Sequence, residues 1–149
     1  MLKTKKGFSL IELLVVIAII GVLSAVGITA YSGYTADAKK KVTVAQHKQL
    51  VSLANAESAK CAGGSGNWAW TAGTNTCNAD VVAADIITHA NSTMGMENPY
   101  VAGTAFAVAS GGVEGQTTIT VAGTGSSQTM VFTTITDGSN TEADTIAMY

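Results

Sequence analysis

One carboxylate stands inside an apolar run. Glu12 follows Phe8-Ser9-Leu10-Ile11 and precedes Leu13-Leu14-Val15-Val16-Ile17-Ala18-Ile19-Ile20. An acid near the centre of a lipid-embedded helix costs on the order of 2.5–3.5 kcal/mol. An ionisable residue kept in such a place marks a function and calls for a named cationic partner. Lys3, Lys5 and Lys6 precede the run and lead into Gly7. If the backbone is cut between Gly7 and Phe8, the new α-amine of Phe8 lies four residues from Glu12. Within one chain that pair is a weak local contact; between two chains it sets an axial register.

Little else in the chain has the spacing of reaction chemistry. The 149 residues contain no G-x-S-x-G, Walker loop, G-x-G-x-x-G, H-E-x-x-H or C-x-x-C. His47 and His89 are the only histidines, and neither has an acid and a nucleophile beside it in sequence. No enzymatic activity and no cofactor are expected. Asp137 and Asp144 flank a polar stretch whose alternating oxygens make them calcium candidates, without the spacing of an EF-hand. A solvated acidic turn explains the same residues. Asn91-Ser92-Thr93 meets the minimal N-glycosylation pattern.

Residues 13–36 form 24 positions without a formal charge, and about 20 apolar residues suffice to span a ~30 Å hydrocarbon layer. The preceding lysines place the N-terminus in the cytoplasm and the remainder outside. An ordinary signal peptide cut near Ala25-Val26-Gly27 is the competing reading. Against it stand Glu12 within the apolar core and a helical pattern that continues past Gly27.

The run from Gly7 to Gly21, GFSLIELLVVIAIIG, resembles the class III leader junction of type IV pilins, and the likeness extends to Tyr31 and Tyr34. The resemblance implies that a prepilin peptidase cuts after Gly7, that the Phe8 amine is methylated and that Glu12 serves assembly. A short leader of seven residues is similar to the type IVa subgroup. Many relatives carry proline at the position of Thr29; here only Gly21 and Gly27 weaken the helix, by roughly 0.5–1 kcal/mol each.

The remaining chain must supply a head. Residues 8–59 as one helix run roughly 78 Å at about 1.5 Å per residue, far beyond a bilayer. Ala38, Val42, Ala45, Leu53 and Ala56 form its expected buried face, with Leu50 on the flank. Cys61 and Cys77 bracket a Gly- and Thr-rich loop. An outward-facing loop meets an oxidising compartment where they would pair; two free buried thiols are the alternative. Familiar pilins more often place the bridge near the C-terminus. Trp68 and Trp70 are expected over the core. Residues 79–91 read as a short helix capped by Asn78, and residues 105–110, 116–122 and 128–136 as strands, with another strand towards Tyr149.

The expected fold is therefore α+β: a long N-terminal helix, transmembrane half plus amphipathic half, packed on a small antiparallel sheet. Its parts are a leader at 1–7, the helix at 8–60 (with 8–34 as membrane and assembly segment) and a head at 61–149.

All eight lysines lie at or before Lys60, and from Cys61 onward there are seven acids and no Lys or Arg. Such a head lacks the clustered cations of a nucleic-acid groove. Lys39, Lys40 and Lys41 are either a solvated helix face or partners for acidic heads of adjacent subunits.

The resemblance implies a major pilin, the structural subunit of an extracellular type IV pilus. It would be held in the inner membrane, processed by the peptidase, and passed through an assembly platform into a helical homo-oligomer, with cell adhesion among the roles of such fibres. A type II secretion pseudopilin is the alternative within the same membrane chemistry. A secreted binding domain is the alternative outside it.

Overall fold

The computed structural model describes residues 7–64, 66–70, 77 and 80–148. Two compact units divide the chain, Met1–Asp37 and Ala38–Tyr149. One helix, α1 (Leu10–Ala62, 53 residues), contributes to both. No proline interrupts it. It stops where Gly64 takes a positive φ of 77° and donates its N–H to the Cys61 carbonyl at 3.0 Å, the left-handed termination that glycine adopts without a Cβ penalty.

In the second unit follow α2 (Ala83–Thr88), a π-helical turn (His89–Thr93), β1 (Ala107–Val108), β2 (Thr117–Ala122), β3 (Thr129–Asp137) and β4 (Asn140–Ala147). The strands form one sheet in the order β1-β2-β3-β4. β2, β3 and β4 make the expected antiparallel meander, and the strand towards the C-terminus is present as β4. β1 differs, because it pairs with β2 in parallel, so the sheet is mixed. Only two residues of β1 join the ladder. The loop between them turns back through Gly111 and Gly115, both at positive φ. At Gly115 (φ 81°) a Cβ would overlap Asn98 Oδ1, so the turn requires glycine.

The core lies between α1 and the inner face of the sheet. Leu50 and Ala54 of α1 meet Ile86, Ala90, Phe106, Ile119, Met130, Phe132 and Ile146 in one buried cluster. The register explains the match: Ile119 stands opposite Phe132 and Met130 opposite Ile146 on the same face. Burial of such side chains contributes about 1.5–3 kcal/mol each.

The helix presents a different face from the expected one. Thr43, His47, Leu50, Ala54, Glu57, Ser58 and Cys61 are buried, whereas Ala38, Val42, Ala45 and Ala56 are exposed. His47 and Ser58 turn inward because the sheet offers them partners. Ser58 Oγ, for example, donates to the Ala147 carbonyl at 3.0 Å. The short helix also begins later than expected, at Ala83 with extended Val82 before it. Asn78, the expected cap, lies outside the described residues. Val81 is held in a strand-like pairing by the buried Gln128 amide, which accepts its N–H at 2.9 Å and donates to its carbonyl at 3.1 Å.

Candidate assembly site

Gly7, Phe8 and Ser9 precede the helix, and Leu10 opens it. Ser9 and Glu12 form a reciprocal cap. The Ser9 N–H and hydroxyl both donate to Glu12 Oε2 at 2.8 Å, and the Glu12 N–H donates to Ser9 Oγ at 3.3 Å. This is the S-x-x-E capping box, which satisfies helix-end donors that otherwise lack partners. The S-x-x-E spacing of Ser9-Leu10-Ile11-Glu12 carries this signal in the sequence. Both contacts fall on Oε2, leaving Oε1 for a further cation.

Around that cap the surface is apolar and uncovered. Phe8 is 91% exposed, and Leu10, Ile11, Leu13, Ile17, Val22, Leu23, Val26 and Ile28 are exposed as well. Phe8, Ile11, Glu12, Val15 and Val16 line a shallow groove, and Ala18, Ile19, Val22 and Leu23 line another. The helix is long and apolar enough to cross a membrane. Towards the end of the segment the hydroxyls are concealed in the backbone. Thr29, Ser32 and Thr35 each donate to the carbonyl three residues earlier, at 2.9 Å. Such back-bonding satisfies a hydroxyl without a partner helix and tends to bend the helix. Thr29 thereby perturbs the helix more softly than a proline at that position would.

The head holds the other residues singled out above. Cys61 and Cys77 form a disulfide, with Cα atoms 5.1 Å apart. Trp68 and Trp70 are buried and stacked at 5.3 Å, as expected of core-covering residues. Glu57, itself buried, accepts from Lys60 Nζ at 2.6 Å and from the Ala69 N–H at 2.7 Å. It thus anchors the middle of the disulfide loop to α1.

The lysine cluster turns partly onto its own chain. Lys39 Nζ lies 5.6 Å from the centre of the Tyr100 ring, and Lys40 pairs with Asp137. Lys41 remains exposed. The Lys40 and Asn140 side chains, which bond the Asp137 carboxylate, hold its pKa below the ordinary carboxylate value. Tyr100 donates its hydroxyl to the Thr136 carbonyl at 2.7 Å. Burial first, then the nearby charges of Glu114 and Asp137, raise its pKa.

Asp144, the other calcium candidate, accepts from His47 Nε2 at 2.8 Å. It is four residues from Asn140, the ladder partner of Asp137, or about 13 Å along an extended strand. The two carboxylates are therefore engaged separately, one by a lysine and one by a histidine. Asn91, in the candidate sequon, has both ends of its amide on the Ala107 backbone, at 2.8 and 3.0 Å.

His47 is the residue that sequence reasoning undervalued. It is fully buried; its Nδ1 lies 2.7 Å from Thr134 Oγ1, which also bonds Thr117 Oγ1. One assignment satisfies every member: Thr117 donates to Thr134, Thr134 to Nδ1, and Nε2–H to Asp144. The order hydroxyl–imidazole–carboxylate is that of a nucleophilic triad. With both threonines fully buried, the chain of bonds clamps α1 to the sheet.

Comparison with known proteins falls on the N-terminal segment. The family model described as the prokaryotic N-terminal methylation motif matches residues 2–28. A fimbrial protein of Pseudomonas aeruginosa is 57% identical over 35 residues, covering 24% of this chain and 23% of that protein. The type IV major pilin protein PilE1 of Neisseria gonorrhoeae is 60% identical over 35 residues, covering 24% of this chain and 21% of its own length. The match thus spans less than a quarter of these relatives. No solved structure matches the chain. The N-terminal segment carries the methylation motif found in type IV pilins, and the chain has an α+β, pilin-like architecture.

Proposed function

We propose that the chain is the major structural subunit of a type IV pilus. The observation that supports this most is the uncovered apolar surface of residues 8–30, carried on a helix whose first turn holds one acid. In lipid that surface is solvated by acyl chains. Once extracted it must be shielded, and burial against copies of itself at about 25 cal/mol per Å² supplies the driving force.

In this reading the chain waits in the inner membrane with its N-terminus inside. A prepilin peptidase cuts between Gly7 and Phe8, the new amine is methylated, and an assembly platform feeds the subunit into a helical filament. Glu12 keeps Oε2 on its own Ser9 and offers Oε1 to the Phe8 amine of a neighbour, neutralising both charges. The role is mechanical rather than enzymatic. A pseudopilin of a type II secretion system would use the same chemistry in a short periplasmic fibre.

Replacing Glu12 with Ala tests the assembly step. The expected result is membrane-bound subunit at normal abundance with few surface filaments in electron micrographs. Normal filament yield removes Glu12 from the mechanism, and filaments confined to the periplasm indicate the pseudopilin.

A further inference from the structure

β4 is an edge strand of the sheet, and one side of its backbone is open. Its hydrogen-bonding phase is set at the end of the ladder, where the Met148 N–H donates to the Gln128 carbonyl at 2.9 Å. Counting back through the register, Ile146, Asp144 and Glu142 turn their backbone groups towards Met130, Phe132 and Thr134 of β3. Thr141, Ala143, Thr145 and Ala147 therefore turn theirs away from the sheet. Ser58 Oγ takes the Ala147 carbonyl at 3.0 Å, as this phase requires, and closes that end. Among the described residues no hydrogen-bond partner meets the N–H and C=O groups of Thr141, Ala143 and Thr145, and all three residues are exposed. These donors and acceptors repeat about every 6.8 Å, the spacing that an added strand reads.

The side chains beside this edge select the strand. Glu142 and Asp144 alternate with the open positions, on the same face as the buried Ile146. Asp144 accepts from His47 there and is still 53% exposed. An antiparallel strand centred on Ala143 sets the two neighbours of its central residue opposite Glu142 and Asp144. If that strand is β4 of a second copy, Glu142 stands opposite Asp144 twice, and like charges directly opposite destabilise a pair. No other strand of the chain supplies cations, because no Lys or Arg follows Lys60. Cations at both positions turn the same two contacts into opposite-charge pairs.

We infer that the β4 edge docks an extended segment of a different protein with the pattern Lys/Arg-x-Lys/Arg, its backbone paired to Thr141, Ala143 and Thr145. Edge strands are often blunted by lysine or proline, and β4 has neither. The edge lies wholly within the second unit, so docking does not depend on the filament reading.

The test uses the isotope-labelled full chain in detergent micelles and the end-capped peptide Val-Thr-Lys-Val-Lys-Thr-Val, with amide hydrogen exchange read by NMR. Saturating peptide is expected to slow exchange at Thr141, Ala143 and Thr145 about tenfold or more. Glu142 and Asp144, already bonded to β3, should not change. Methylating the backbone nitrogen of the central valine keeps both charges, removes the bond to the Ala143 carbonyl and should abolish the protection. Glutamate in place of both lysines should do the same. Glu142→Gln should weaken binding about two- to threefold. Ala143→Pro removes an N–H on the open side, where proline is tolerated, and should lose binding with the melting temperature kept. Should that variant unfold, the methylated peptide carries the test. Unchanged exchange at the three amides under the lysine peptide, or equal protection by the methylated or glutamate peptide, overturns the inference. Protection that rises with the chain's own concentration, without peptide, makes a second copy the occupant and overturns it as well.

Discussion

Ser9 and Glu12 cap the same helix from both sides: the serine N–H and hydroxyl reach Glu12 Oε2 at 2.8 Å, and the glutamate N–H returns to Ser9 Oγ. The relationship gives Glu12 a local task within its own chain. It also orients the carboxylate, with Oε1 outside these bonds. Ser9→Ala should fray the first turn, at a cost of about 0.5–2 kcal/mol, while Ser9→Thr should preserve it. Amide exchange over residues 10–13 of the membrane-bound subunit checks this. Equal protection in Ser9→Ala would show that the cap contributes nothing.

The His47 clamp makes a second prediction. His47→Ala removes the acceptor of the Thr134 hydroxyl and leaves a cavity beside it. The expected loss is about 2–4 kcal/mol, combining a broken buried network with lost packing. Asp144→Asn keeps an acceptor oxygen on the half-exposed side and should cost about 1 kcal/mol or less. Chemical denaturation of both variants measures the difference. A larger loss in Asp144→Asn would contradict the proposed direction of the bonds.

These two sites also show where sequence reading succeeds. The membrane segment is legible because its signal is local: an uncharged run, lysines before it and Glu12 within it. The meander is legible for the same reason, since glycines separate alternating strands. The buried face of α1 is not. Thr43, His47 and Ser58 look like surface residues, whereas Val42 and Ala45 look like core. The burial of His47 and Ser58 is decided by partners about 90 positions away, Thr134 and Ala147. Periodicity carries no information about such partners. The strand at 105–110 is legible, but its parallel pairing with β2 is not, because the orientation is set by the path of the loop through Gly111 and Gly115.

Opposite pH limits follow from Asp137 and Tyr100. The Asp137 pKa is lowered on folding, chiefly by the Lys40 bond. Its contribution is complete above the unfolded value of about 3.9 and is lost as pH falls through the lower folded value. The Tyr100 pKa is raised, chiefly by burial. Its contribution is complete below about 10 and is lost as pH rises through the higher folded value. Thermal melts across both limbs should therefore show Asp137→Asn flattening the acid decline and Tyr100→Phe flattening the alkaline one. Unchanged limbs would remove these groups from the pH dependence.

The Cys61–Cys77 bridge closes a loop whose middle is anchored by Glu57. Reduction, or Cys61→Ser with Cys77→Ser, should cost about 3 kcal/mol in the chain-entropy model. A fall in melting temperature with α1 retained by circular dichroism is the expected reading. No change would mean that Glu57 and the stacked tryptophans hold the loop unaided.

Intact mass and N-terminal fragmentation of protein sheared from the cell surface bear most directly on the central claim. A chain beginning at N-methylated Phe8 and retaining the apolar helix is the predicted result. A soluble protein beginning near Ile28 would contradict it.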